Sequence, residues 1–159
     1  MGLTSSRKAV SVLIYEDRPR YDLWLKLILA GPLATTFILG VVFFPGKQQA
    51  ALVMFAVTLF DALLFHAVMP RRFQIFQDKL KIFLGRPFVL NIPLSTIREV
   101  QSVSGSKVFA YGGIRLATST HYIVEIVRRK GLSLIISPAK ADVFLEQLKQ
   151  AICSAPELN

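Results

Sequence analysis

Between Leu23 and Met69 the chain is almost continuously apolar, broken only by Pro45-Gly46-Lys47-Gln48. Leu23 to Phe44 carries a single charge, Lys26, and the only ionisable side chains from Gln49 to Met69 are Asp61 and His66. At about 1.5 Å of rise per residue, each run forms a helix long enough to cross a hydrocarbon core of roughly 30 Å. The pattern predicts a transmembrane helical hairpin over 23–69. Two buried helices of a soluble core would need far more chain around them than the 90 residues after Met69. The first run is too long for the apolar core of a signal peptide, has no A-x-A-like cleavage site and is followed at once by the second, so it should be retained.

Folding the hairpin about Gly46 sets position 26 level with 66, 30 with 62 and 34 with 58. Lys26, Ala30 and Ala34 then share one face of the first helix, and Thr58, Ala62 and His66 one face of the second, so two small-residue stripes meet and polar side chains turn inward. Gly31-Pro32 is a kink candidate, because Pro32 frees the carbonyl of Ile28 and Thr35, Thr36 or the neighbouring helix must compensate. Asp61, about 12 residues into its span, would cost on the order of 2.5–3.5 kcal/mol unpartnered at the bilayer centre. Thr35, the backbone opened by Pro32, or Lys26 are its expected partners, which makes Lys26, Thr35, Thr58, Asp61 and His66 the candidate intramembrane polar contacts. Tyr21 and Trp24 read as interfacial anchors.

Outside the hairpin the period changes to that of strands. In the N-terminal segment, 1–22, Val10, Val12 and Ile14 alternate with Ser11, Leu13 and Tyr15, which predicts an edge strand over Val10 to Tyr15 with the β-branched residues buried. Segment 70–153 offers about seven short antiparallel strands. Phe73 and Ile75, a turn at Gln77-Asp78-Lys79, then Leu80, Ile82 and Leu84 make a hairpin with one buried face. Phe88 to Ile92, a break at Pro93-Leu94-Ser95-Thr96, and Ile97 to Val103 follow. Gly105, Gly112 and Gly113 punctuate a looser stretch before Ile114 to Thr118, and His121 to Arg129 with Leu132 to Ser137 close a second hairpin around Lys130-Gly131. Ser137 as N-cap, Pro138 at the first helical position and Asp142 in the early turns start a helix whose apolar stripe is Phe144, Leu145, Leu148 and Ile152. A tail, 154–159, should fray.

Composition changes the picture in one respect. With 53% apolar residues and a mean hydropathy of +0.49, the chain is too oily for a soluble domain of 159 residues. The net charge of +9 follows largely from topology. Arg7, Lys8, Arg18 and Arg20 precede the first span; Arg71, Arg72, Lys79, Lys81 and Arg86 follow the second; the connection has only Lys47. Both termini should therefore be cytoplasmic, beside anionic lipid. The basic residues are not interleaved with an aromatic platform, so nucleic acid is not an expected partner. The single Cys153 excludes an internal disulfide, and the two histidines, His66 and His121, lie too far apart for a metal-ligand spacing.

The order of elements adds a resemblance. Two spans, then RRFQIFQDKLKIFLG, NIPLSTIREV, GIRLATS, a hairpin ending in LSLIISPA and a closing FLEQLKQ helix resemble the bacterial pleckstrin-homology-like (PH-like) domain proteins with a membrane hairpin. The most specific pieces are Ile92-Pro93-Leu94 leading into Ile97-Arg98-Glu99-Val100, and Ser137-Pro138 after the final strand. The resemblance implies an α+β membrane protein: a two-helix hairpin, then a strongly bent antiparallel sheet of about seven strands capped by a C-terminal helix, in a prokaryotic cell membrane. It implies no activity.

No enzymatic constellation is present in the sequence. No serine or cysteine stands in a nucleophile elbow, the carboxylates Glu99, Glu125, Asp142 and Glu146 are spread singly, and Gly112-Gly113 lacks the lysine and helix of a phosphate loop. No catalytic, cofactor-binding or metal residue is expected. Three functions remain: a membrane-tethered module docking a protein partner, or a second copy of itself; anionic headgroup recognition by Arg71, Arg72, Lys79, Lys81 and Arg86; and a structural subunit of a larger membrane complex.

Overall fold

A computed structural model describes residues 11–103 and 112–154. Strand β1 (Leu13–Asp17) is followed by helices α1 (Leu23–Phe43) and α2 (Gln48–Val68), then by strands β2 (Arg72–Phe76), β3 (Lys79–Phe83) and β4 (Val89–Pro93). A 3-10 turn at Leu94–Thr96 leads to β5 (Ile97–Ser102), β6 (Ile114–Leu116), β7 (Val124–Arg128), β8 (Leu134–Ile136) and helix α3 (Ala141–Ser154). This is the expected α+β architecture. The looser stretch around Gly105, the leader with Arg7 and Lys8, and residues 155–159 lie outside the described residues.

The helical hairpin falls within a residue of its expected bounds. Mean hydropathy is 2.0 for α1 and 2.1 for α2, and each is long and apolar enough to cross a membrane. Among the described residues, one position in each helix is buried, Gly40 and Ala51, so the remaining apolar surface has no protein to cover it. Pro32 sits inside α1, which continues through it.

Two four-stranded sheets follow, in the orders β1-β2-β3-β4 and β5-β7-β8-β6. Alternation sets the inner faces: Phe73 and Ile75 of β2, Leu80 and Ile82 of β3, Val124 and Ile126 of β7, and Leu134 and Ile136 of β8 are all buried. From α3, Phe144 and Leu148 enter this core, Phe144 lying edge-on to Phe73 with ring centroids 6.0 Å apart. Full burial of such side chains contributes about 1.5–3 kcal/mol each.

Four local expectations are corrected. The N-terminal edge strand exists, antiparallel to β2, but it begins at Leu13 and its register is broken between Leu13 and Tyr15. One residue of slip exchanges the faces of a strand. Accordingly Asp17 is buried and Tyr15 half-buried, while Val12, Leu13 and Ile14 are 54%, 44% and 40% exposed. Second, β6 is shorter than expected and runs parallel to β8, Ile114 opposite Leu134, because β7 and β8 form the antiparallel hairpin and β6 takes the far side of β8.

Third, Ser137 does not cap α3. Its hydroxyl accepts from the N–H groups of Thr118 and Ser119, each at 3.2 Å, and Pro138 bridges Pro19 instead of opening the helix. The helix starts at Ala141, and the cap comes from the other end of the chain: Lys140 N–H donates to Asp17 Oδ2 at 2.9 Å. Its buried stripe is consequently Ala141, Phe144, Leu148 and Ala151, with Leu145 and Ile152 half-buried beside it. Fourth, Ser154 is the last residue of α3 rather than part of a frayed tail.

The segment before the hairpin thus closes the domain that follows it. Arg20 N–H donates to the Ser137 carbonyl at 2.9 Å, Ala139 N–H to that of Arg18 at 2.8 Å, and Asp22 N–H to that of Thr118 at 3.1 Å. The Thr118 hydroxyl returns a hydrogen bond to the Arg20 carbonyl at 2.5 Å, and the Arg20 guanidinium lies 4.1 Å from the Tyr122 ring centroid.

Candidate functional site

The basic residues that sequence groups together are divided by the fold. Arg72, Lys79 and Lys81 alternate with the buried residues of β2 and β3 and so share the outer face of the first sheet. Register places Glu16, Gln74, Lys81 and Asn91 in one row across that face. Its cations are already engaged: Arg72 Nε lies 3.2 Å from Glu16 Oε1, Lys79 Nζ lies 3.1 Å from Asp78 Oδ2, and Lys81 Nζ sits 4.8 Å from the Phe76 ring centroid. Gln74 also donates to Glu16, at 2.6 Å. Arg86 is exposed in the connection between β3 and β4.

Arg71 belongs elsewhere. Its backbone N–H donates to the Phe83 carbonyl at 2.7 Å, and its Nη2 lies 2.9 Å from His66 Nδ1, a contact in which the guanidinium donates and the imidazole accepts. The foot of the hairpin is fixed by the link between β3 and β4. Gly85 N–H donates to the Ala67 carbonyl at 3.1 Å, and a Cβ on Gly85 would stand 1.6 Å from the His66 carbonyl oxygen. Only glycine lets the two backbones approach so closely. Tyr21, just before α1, donates its hydroxyl to the carbonyl of Pro70, just after α2. Burial pushes that hydroxyl's pKa up, the Arg71 guanidinium drawing it partly back, so Tyr21 stays a donor.

Along the hairpin the seam is sealed near the connecting turn and open at the foot. Near the turn, a Cβ on Gly40 would meet the Phe55 ring at 2.8 Å, and Phe37 and Phe55 lie 5.8 Å apart between centroids. Midway, the Thr58 hydroxyl bonds that of Thr36 at 2.8 Å, and Thr36 also donates to the Pro32 carbonyl at 2.9 Å. Position 58 is therefore level with 36 rather than 34. Thr36, not Thr35, makes the crossing; Thr35 is exposed. Asp61 lies half-buried, and among the described residues neither Thr35, Lys26 nor the backbone at Pro32 meets it. Three residues beyond Thr58 it is turned about 60° off the seam.

Toward the foot the helices part, leaving a cleft of about 510 Å³. Its walls are apolar, with Leu29 and Leu33 on α1 and Ala62 and Phe65 on α2; its mouth is polar, with Tyr21, Lys26, His66 and Arg71. Lys26 and His66 both line this mouth, joined by Arg71 from the group assigned to headgroup contacts. Lys26 has an acid four residues before it, the spacing of a helical ion pair. That acid, Asp22, is turned to the domain: its Oδ2 accepts from the Thr120 N–H at 2.8 Å and lies 3.9 Å from His121 Nδ1. Burial alone would raise the Asp22 pKa, but the Thr120 N–H, the Ser119 and Thr120 hydroxyls and Trp24 outweigh it and hold it below the ordinary value. Sequence reasoning passed over Asp22, Tyr21 as a latch and Gly85; the i, i+4 spacing of Asp22 and Lys26 was the available signal for the first.

Among the described residues no group of three or more His, Cys, Asp or Glu side chains gathers to hold a metal ion. Fold and foot together define a PH-like domain joined to an apolar helical hairpin. The chain belongs to the bacterial PH domain family, which matches residues 71–152, more than half of its 159 residues. Neither the curated proteins nor the solved structures yield a match. The matched span begins after β1 and the hairpin, so the N-terminal strand and the residues Asp17 to Asp22, which engage the end of the domain, lie outside it.

Proposed function

We propose that the chain is a membrane-anchored, non-catalytic PH-like module that docks a protein partner at the cytoplasmic surface of a prokaryotic cell membrane. The observation that carries the reading is the edge of β1, which among the described residues pairs only with β2. Val12, Leu13 and Ile14 present three consecutive apolar side chains, 54%, 44% and 40% exposed, at the outermost strand of the first sheet. The opposite edge, β4, ends in Pro93, one of the devices that blunt an edge against pairing. An extended segment of a partner protein can add to β1, its backbone completing the ladder and its apolar side chains covering Val12 and Ile14. Orientation is supported by the pairing of β1 with β2. The strands flank the hairpin, so the chain returns to the side it left, and the basic residues concentrate on that side with Lys47 alone in the connection.

The test is to purify the full chain in mild detergent with and without Val12→Lys and Ile14→Lys, and to identify what accompanies it. Both positions are exposed, so the variants should fold, and a specific partner should be lost from them while Val89→Lys on the opposite edge retains it. An unchanged set of accompanying proteins overturns the reading.

A further inference from the structure

The cleft at the foot of the hairpin has a chemistry the docking edge does not share. Its polarity is segregated along the helix axes. Tyr21, Lys26, His66 and Arg71 gather at the end where the chain enters and leaves the hairpin, and the wall beyond them is apolar as far as Leu33, seven residues or about 10 Å deeper than Lys26. Its lining, among the described residues, includes no carboxylate. Among the described residues neither Lys26 nor Arg71 has an acidic partner, whereas Arg72 and Lys79 on the sheet have Glu16 and Asp78. The one acid spaced to neutralise Lys26 is held away by Thr120.

An amphiphile with an anionic head and an apolar tail matches this arrangement in both charge and order. We propose that the cleft binds one anionic phospholipid of the surrounding leaflet, its headgroup phosphate held between Lys26 and Arg71 and one acyl chain lying between α1 and α2 against Leu33 and Ala62. A volume of about 510 Å³ falls within the roughly 300–1,000 Å³ of small-molecule sites, enough for a headgroup and the upper part of a chain. The sealed seam beyond Thr36 and Thr58 stops the chain from threading further, so the lipid is held from the side and not enclosed. Basic clefts between spans at the cytoplasmic level are suited to this task.

Native mass spectrometry of the full chain in neutral detergent, titrated with dioleoylphosphatidylglycerol or dioleoylphosphatidylcholine, tests it. One phosphatidylglycerol should be retained per chain, and Lys26→Gln with Arg71→Gln should erase its preference over phosphatidylcholine, roughly thirtyfold for two cations at the surface. Arg72→Gln with Lys79→Gln should leave the preference within about twofold. Ala62→Phe, which fills the wall without touching charge, should abolish retention of both lipids. Equal retention of the two lipids by the parent chain, an undiminished preference in the Lys26/Arg71 variant, or displacement of the lipid by glycerol 3-phosphate at equal concentration each overturns the proposal.

Discussion

The outer face of the first sheet and the foot of the hairpin each hold basic side chains close in sequence, yet they differ in what surrounds the charge. On the sheet, β1 supplies Glu16 to Arg72 and the turn before β3 supplies Asp78 to Lys79, so that an acid or an aromatic ring stands beside each cation. At the foot, Lys26 and Arg71, 45 positions apart in the sequence, line one cleft with apolar walls and, among the described residues, no acid. Exposed pairs such as those on the sheet contribute about 0–1 kcal/mol and are easily exchanged for water. A cation held against a low-dielectric wall without a counterion has a stronger demand for an anion. Density of basic residues along the chain is thus a poor guide to binding, and the neighbours decide.

The comparison breaks most severely at Gly85. Gly85→Ala places a methyl group on the His66 carbonyl, and the connection between β3 and β4 must leave α2, taking Arg71 with it. A loss on the order of 3 kcal/mol, the upper end for overpacking, is expected. Hydrogen exchange should show it as lost protection at Gly85 N–H, which donates to Ala67 of α2, with Arg71 N–H and the β2–β3 pairing retained; unchanged exchange at Gly85 would show that the foot adapts.

Asp22 gives a smaller and pH-dependent effect. Its folded pKa lies below the unfolded value of 3.8, so its contribution is complete above that value and is lost as pH falls through the folded one. Between pH 6 and pH 3 the parent chain should lose protection at Thr120 N–H, while Asp22→Asn, lower by about 1 kcal/mol at pH 6, should lose less over the same range. Parallel curves would remove Asp22 from the clasp. The smallest effect is expected on the sheet, where Lys79→Glu with Lys81→Glu should weaken electrostatic attraction of the full chain to added anionic vesicles in a salt-dependent way. If the two chains respond equally at low ionic strength, the outer face does not approach the bilayer.

What could be read from the sequence follows the range of the interaction that sets it. The spans and the strands β2 to β5 are written in local periodicity. The inverted face of β1 could not be counted, because it depends on the bulge at Ile14 and on Asp17 having a destination inside the domain. Ser137 misled for the same reason: serine followed by proline is a sound helix-start signal, but the hydroxyl is taken by Thr118 and Ser119, and the cap arrives from Asp17. At the site, Lys26 and His66 were visible as polar residues in apolar runs, whereas Arg71 was grouped with its sequence neighbours. Thr36 displaced Thr35 because the helices meet two residues out of the simple hairpin alignment.

The clasp between the N-terminal segment and the end of the domain also bears on how the protein is made. Asp17 is synthesised 123 residues before Lys140, the residue whose N–H it holds. Everything between them, both spans included, has left the ribosome before that bond can form, and at about 5–20 residues per second the wait is several seconds or more. In the membrane setting proposed above, the hairpin would insert on the hydropathy of α1 and α2 alone, without help from the folding of the domain. Once Asp17, Arg18 and Arg20 have engaged the far end of the chain, the two flanks of the hairpin are tied to one another, and they cannot separate unless the domain first unfolds. The order of synthesis makes this tie one of the last contacts to form.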